Sequence, residues 1–336
     1  MSAVDIKTMD HIDDTDIIII GGGPAGLTAA IYAMRAGMRV ILLESSMYGG
    51  QIANTPEVEN YPSIRKIEGW ELAQNMYDHA KDLGLDLRFE NVNGIETETS
   101  LPDTQLKAVV TDNGWYGAKA VIIANGARRR HMGCTGEEKM IGRGVSFCAS
   151  CDGSFFRDKD VAVIGGGNTA VEDAIYLSNI CRKVYLVHRR DEFRAQKNLV
   201  NTALQKDNIE FKLSYVPDEV IADETGSKVA GLVIRRRNAD GAAEKQSSEK
   251  TEKLDLDGIF VAIGLDPDNK AFGACVELDE YGYIAAGEDC MTSAEGIYAA
   301  GDTRTKPLRQ IVTACSDGAV AATGAVAYIN EHADIV

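Results

Sequence analysis

No aliphatic run in this 336-residue chain is long enough to cross a bilayer; the longest, such as residues 17–20 and 161–164, would fill only a short strand. The first sixteen residues carry Asp5, Asp10, Asp13, Asp14 and Asp16 but lack the apolar segment of a secretory signal, so residues 1–15 are expected to be a flexible acidic leader. Cysteine is sparse and odd in number. Seven residues, mostly far apart, argue against an extracellular disulfide framework and for a reducing, cytoplasmic setting. Cationic charge is also in deficit: 35 Lys and Arg stand against 51 Asp and Glu, and a formal charge of −16 opposes encounter with nucleic acid or an anionic membrane. Arg128, Arg129 and Arg130 reverse that sign locally, but no phosphate loop accompanies them and they read as a solvated patch.

What the chain does contain is a repeat. Residues 16–20 form an aliphatic strand that runs into Gly21-Gly22-Gly23-Pro24-Ala25-Gly26, followed by an Ala-rich helix over 27–36 and a second strand over 38–43 that ends at Glu44. The same order recurs 144 residues later, as strand 161–164, Gly165-Gly166-Gly167-Asn168-Thr169-Ala170, helix 170–178 and strand 184–187. Each copy predicts a parallel sheet with a crossover helix. Antiparallel strands are expected at 106–110 and 118–123 around the Asp112-Asn113-Gly114 turn, and at 209–213, 229–235 and 253–256 around a turn at 238–241 and a polar hairpin tip at 242–252. Strands at 258–263 and 296–299 and a small-residue helix at 314–328 have no fingerprint of their own and are assigned to the first domain. The expected fold is α/β: two Rossmann-like dinucleotide-binding domains of the three-layer ββα type, the second (130–257) inserted into the first (16–129 and 258–336).

In the first fingerprint Gly21, Gly23 and Gly26 permit the tight turn, the approach of a pyrophosphate and close helix–strand packing, and Glu44, 23 residues beyond Gly21, stands where a carboxylate receives ribose hydroxyls. This half reads as an FAD site. In the second, Gly165, Gly167 and Ala170 keep the pattern, but the same count of 23 from Gly165 reaches His188, followed by Arg189, Arg190 and Arg194. Guanidinium groups suit a 2'-phosphate, so this half reads as an NADPH site.

Between the fingerprints lies Cys148-Ala149-Ser150-Cys151-Asp152. A dithiol beside two dinucleotide sites is an outlet for a pair of electrons. The spacing of His131, Cys134, Cys148 and Cys151 also permits a zinc set, which would silence the dithiol. Cys181, Cys275, Cys290 and Cys315 have no neighbouring partner and read as small buried hydrophobes. Asp152 is either a proton donor to a leaving thiolate or a solvated turn residue before Gly153; adjacency does not choose.

These motifs, with Gly49-Gly50-Gln51, Glu59-Asn60, His188 to Arg194, Gly301-Asp302 and Arg309-Gln310, closely resemble the bacterial low-molecular-weight thioredoxin reductases over nearly the whole chain. The resemblance implies a homodimer in which NADPH reduces FAD, the flavin reduces the disulfide and the dithiol reduces thioredoxin, with the inserted domain rotating between half-reactions. It implies flavin contacts from Pro24, Ala25, Gly49, Gly50, Gln51, Asn60, Gly301, Asp302, Arg309, Gln310 and Ile311, and NADPH contacts from Asn168 and Thr169. It makes Cys151 the flavin-side thiol, Cys148 the thiol that attacks thioredoxin and Asp152 the acid, with Arg143, Phe155 and Phe156 meeting the partner. The chain departs from the family's common residues at Ser150, Asn125 and Ser154. An unusual small disulfide protein as partner, a flavin-dependent dithiol oxidase and a non-enzymatic nucleotide-binding protein are the other readings; the intact arginine cluster argues against the oxidase.

Overall fold

The computed structural model describes residues 9–96, 106–237 and 251–332. Two compact units emerge, Met1–Arg128 with Asp266–Val336, and Arg129–Leu265. In chain order the first unit supplies β1 (His11–Ile20), α1 (Pro24–Arg35), β2 (Val40–Glu44), α2 (Gly69–Asp82), β3 (Asp86–Phe89), β4 (Val92–Glu96), β5 (Lys107–Thr111) and β6 (Trp115–Ile123). After β7 (Arg128–Arg129) the second unit comprises α3 (Glu137–Met140), β8 (Val145–Ser146), α4 (Ala149–Asp152), β9 (Asp160–Ile164), α5 (Asn168–Ser178), β10 (Lys183–His188), α6 (Lys197–Leu204), β11 (Ile209–Leu213), β12 (Tyr215–Ala222), β13 (Val229–Arg236), β14 (Thr251–Asp255) and β15 (Gly258–Val261). The chain returns through β16 (Leu265–Asp266) and completes the first unit with β17 (Ile297–Ala299) and α7 (Ile311–Glu331).

The first sheet runs β3-β2-β1-β6-β5-β4, and β6 serves three neighbours. It pairs with β1 in parallel; its first half pairs with β5 antiparallel, from Val110↔Trp115 to Lys107↔Ala118, and its second half pairs with β17 in parallel, from Val121↔Ile297 to Ile123↔Ala299. β1, between β2 and β6, is covered on both faces, which is why it reads as four consecutive isoleucines. Ile17 and Ile19 join Leu27, Ala29, Ala33, Ala321 and Ala325 on the side of α1 and α7, while Ile18 and Ile20 join Phe272, Val276 and Ile284 on the other.

The second unit is a parallel sheet, β11-β10-β9-β15-β8, with a β12-β13-β14 antiparallel sheet as a separate layer. Val161 and Val163 pack toward Val171, Ala174 and Leu177 of α5; Ala162, Ile164, Ile259 and Val261 pack toward Leu232, Ile234 and Leu254. This is the three-layer ββα arrangement.

Three expectations are corrected. Residues 258–261 belong to the second unit: β15 pairs with β9 from Gly258↔Val161 to Val261↔Ile164 and with β8 at Ile259↔Val145, because a strand buried on both faces needs two sheet neighbours more than it needs a fingerprint. The acidic leader is not flexible to residue 15. His11 to Thr15 extend β1 against Trp115 to Ala118, and Gly117 lacks the Cβ that would lie 2.0 Å from Asp14 Oδ1. Phe156 is interior, 9% exposed, with its ring 5.3 Å from that of Phe260. The turn at 238–241 and nearly all of the tip at 242–252 lie outside the described residues.

By length and composition α7 could cross a membrane. Here its Gly318, Ala321, Ala322 and Ala325 are buried, and an added Cβ at Gly318 would lie 2.2 Å from Ala25 O, so α7 lies directly on α1.

Candidate functional site

In the first unit the glycine turn is locked by its neighbours. Gly21, at φ 105°, donates to Leu43 O at 2.8 Å, and a Cβ on Gly26 would lie 1.8 Å from Gly21 O, so neither position admits a side chain. Gly22 donates to Glu44 Oε2 at 2.7 Å while Ser46 N donates to Oε1 at 3.0 Å, fixing the carboxylate at the tip of β2 with lone pairs left for ligand hydroxyls. Gly23 N-caps α1, no side chain caps that helix, and a Cβ added at Gly23 would meet only Gly50 Cα at 3.9 Å. Free helix N–H groups beside open space fit a diphosphate.

The other expected flavin residues converge on this turn. Gly49 N donates to Gly22 O at 2.7 Å; Gln51 Nε2 donates to Ala127 O; Asn60 Nδ2 donates to Gln310 Oε1 at 3.1 Å. Ile311 packs with Ile52, Val58 and Leu72, tying the start of α7 to the Gly50–Asn54 turn. Gly301, at φ 81°, sits so close to α1 that its Cβ would be 2.9 Å from that of Ala25. Arg309 donates from Nε, Nη1 and Nη2 to the carbonyls of Asp302, Lys306 and Arg304 at 3.2–3.4 Å and lies over the Tyr283 ring, so it clamps the loop that carries Asp302.

In the second unit Gly167 N-caps α5, again with no side-chain cap and with nothing within 4 Å of an added Cβ. His188, at the end of β10, is buried beneath this turn: a Cβ on Gly166 would lie 2.1 Å from its ring, Phe193 stacks on it at 5.3 Å and Nε2 meets Glu192 O at 3.1 Å. Burial lowers its pKa; the Glu192 carbonyl opposes that, and the neighbouring arginines add to it. His188 is thus a neutral support. Arg194 N donates to Gly166 O at 2.9 Å, which pins the arginine loop to the glycine turn, while Asn168 Oδ1 accepts from Gln196 N at 2.9 Å. Arg189 has its pKa lowered by burial and then by Arg190, Arg194, Arg237 and Arg130. Such crowded like charge is relieved by a dianion, and the site fits a 2'-phosphate.

Cys148 and Cys151 form a disulfide across the first turn of α4 and so are not free as zinc ligands. Cys148 Sγ accepts from Cys151 N at 3.2 Å and lies 3.4 Å from Ser150 Oγ. Ser146, on β8, is the hub behind them: it donates to Asp152 Oδ2 at 2.6 Å and accepts from Cys148 N at 3.1 Å. Burial raises the Asp152 pKa, against the Ser146 hydrogen bond and the Arg129 charge. Gly153, where a Cβ would lie 3.0 Å from Leu177 Cδ2, seats this segment on α5, whose N-terminus is the second glycine turn. Arg143 and Phe155 are exposed.

Two features escaped the sequence reading. Ser146 has no motif of its own. Asp173, one helical turn after Thr169 on α5, has its carboxyl pushed up to about 7 by burial and then by Glu172. Asn125, legible in the sequence only as a departure from the family's common residue, joins three segments, donating to Asp268 O at 3.0 Å and accepting from Thr303 Oγ1 at 2.8 Å.

The chain matches the family model for pyridine nucleotide-disulphide oxidoreductases over residues 15–318. Thioredoxin reductase from Listeria innocua serovar 6a is 40% identical over 316 residues, 94% of each chain. That from Peptoclostridium acidaminophilum is 41% identical over 318 residues, 94% of this chain and 98% of the relative. The solved thioredoxin reductase of Streptococcus pyogenes MGAS5005 superposes with a TM-score of 0.85 at 40% identity, covering 95% of this chain and 99% of that one.

Proposed function

Since the chain belongs to the thioredoxin reductases of the pyridine nucleotide-disulphide oxidoreductase family, we propose how its residues divide the work of that activity. The enzyme passes electrons from NADPH through FAD and the Cys148/Cys151 pair to thioredoxin. FAD, when bound, would supply a two-electron carrier between NADPH and the disulfide. The first unit holds FAD, with Glu44 on the ribose, the α1 N-terminus on the diphosphate, and Gly49, Gln51, Asn60 and the Gly301–Ile311 segment around the remainder. The second unit holds NADPH, with the α5 N-terminus on its diphosphate and Arg189, Arg190 and Arg194 on its 2'-phosphate.

The reduced pair then works as an ordinary exchange couple. Cys148 attacks a thioredoxin sulfur as thiolate, the other thioredoxin sulfur leaves, and Cys151 attacks Cys148 Sγ to release the second and restore the Cys148–Cys151 bond. Cys148 suits the attacking role because the Cys151 N–H already points at its sulfur. Asp152, its pKa raised by burial and its carboxyl oriented by Ser146, supplies the proton that a leaving thiolate takes up. Arg143 and Phe155 are offered to thioredoxin. The protein acts as a homodimer in the cytoplasm, readings that rest on the family resemblance and on the sparse cysteines.

The observation that carries this reading is a disulfide one helix away from a glycine turn whose arginines suit a 2'-phosphate. Cys148→Ser tests it: flavin bleaching by NADPH in stopped flow should persist while thioredoxin turnover disappears. Turnover surviving in the mutant would remove this pair as the outlet.

A further inference from the structure

Beneath the Gly301–Asp302 turn lies a buried ionic cluster that none of the motifs contains. Arg304 grips Asp317 with two parallel bonds, Nε to Oδ2 and Nη2 to Oδ1, both 2.8 Å. Lys306 Nζ donates to Oδ2 at 2.7 Å, and Gly301 N donates to the same oxygen at 2.9 Å. The side chains of Arg304, Lys306 and Asp317 are only 1%, 3% and 6% exposed, so these charges meet one another rather than water. Glu288 lies 3.5 Å from Arg304 Nη2 but is 88% exposed and screened by solvent. Burial pushes the Asp317 carboxyl upward, but Arg304, Lys306 and the Gly301 N–H outweigh it and hold it below its ordinary value.

The rest of the loop is tied as completely. Arg304 Nη1 donates to Thr305 O at 3.0 Å, Thr305 N to Ile284 O at 2.9 Å, and Thr305 Oγ1 to Ala286 O at 3.0 Å; Thr303 Oγ1 lies 2.7 Å from Asn269 Oδ1. Arg309 closes the carbonyls of residues 302, 304 and 306 from the other side. A loop with so many internal bonds has its shape before any ligand arrives. Asp317, on the helix α7 that frames the loop, reaches its first residue and two of its side chains.

We infer that Asp317 is a positioning residue for the flavin: with Arg304 and Lys306 it sets residues 301–306 in their binding shape, so that FAD enters a preformed seat. The inference rests on the assignment of the Gly301–Asp302 turn to FAD. A preformed loop spares the cofactor the entropy of ordering it, and a carboxylate that consumes the Gly301 N–H fixes which way the turn presents Asp302. The cluster also leaves one positive charge in excess under the flavin seat, since two cations face one buried anion.

The test is FAD titration of full-chain apoprotein by flavin fluorescence, with NADP⁺ affinity and the bound flavin's absorption spectrum and reduction potential as further readouts. Asp317→Asn should weaken FAD binding about tenfold or more, the loss of a charged partner from buried hydrogen bonds, and should alter the flavin spectrum while leaving NADP⁺ affinity unchanged. Lys306→Met keeps the Arg304–Asp317 fork and reads the same site even where Asp317→Asn fails to fold. It should weaken FAD severalfold and lower the flavin's reduction potential, because a positive charge nearby favours the more negative, reduced form. Wild-type FAD affinity and potential in Lys306→Met, or in a folded Asp317→Asn, would overturn the inference. Gly23→Val separates the two levels: it should abolish FAD binding by filling the diphosphate cradle, and if it does not, the assignment of FAD to this unit fails rather than the role of Asp317.

Discussion

Asp152 sits beside a thiol pair in the sequence, but what raises its pKa is burial, against the hydrogen bond by which Ser146, six residues back on another element, orients its carboxyl. Asp152→Asn should slow thioredoxin-dependent turnover about 10²–10⁴-fold while NADPH still bleaches the flavin at its usual rate. It should also stabilise the protein. A carboxyl whose folded pKa is raised binds its proton more tightly folded than unfolded, so stability is fullest below the ordinary Asp value of 3.8 and falls as pH rises through the folded value. The asparagine variant should therefore unfold at higher temperature than the parent near pH 8, with the difference vanishing below pH 3.8; equal midpoints at pH 8 would return Asp152 to a solvated turn. At this scale the sequence was legible where a role needs neighbours in the chain, as for Cys148, Cys151 and Gly21, and silent where it needs neighbours in space. Asp317 lies 13 residues from Arg304 and 16 from Gly301, and no short pattern connects them.

At the level of elements, β10 shows what a strand end contributes to the proposed NADPH seat. Its last residue, His188, is spent on packing beneath Gly166, and the chain that follows returns Arg194 to the Gly166 carbonyl, so Arg189, Arg190 and Arg194 share one small region. Replacing Arg189 and Arg190 together by Ala should cost about 3–6 kcal/mol of NADPH binding, or on the order of 10²–10⁴ in preference over NADH, with KM for NADH little changed and no loss of yellow colour. Equal use of both nucleotides by the parent enzyme would refute the assignment. The two βαβ repeats were readable because glycine turns and aliphatic runs are local signals. β15 was misassigned because Gly258 to Val261 read like any buried strand, and only its pairing with β9 says which sheet it completes.

For the molecule as a whole, each unit has its own sheet and its own apolar clusters, and each is expected to bind a different nucleotide. Calorimetry should accordingly resolve two transitions. FAD at a hundred times its Kd should raise only one of them, by roughly 5–10 °C for a unit of this size, and NADP⁺ only the other. A single transition moved by both ligands would mean that the units unfold as one.

The contact of α7 with α1, so close that Gly318 has no room for a side chain, also sets a timetable. The second unit is one continuous stretch, Arg129–Leu265, and every strand of its sheet has left the ribosome while the first unit still lacks β17 and α7. Domains fold as their residues emerge, so the inserted unit matures first and the surrounding one waits for its C-terminal helix. Until then the cluster at Asp317 does not exist and the α1 face stays bare. The proposed flavin seat is therefore expected to take shape only after α7 has emerged.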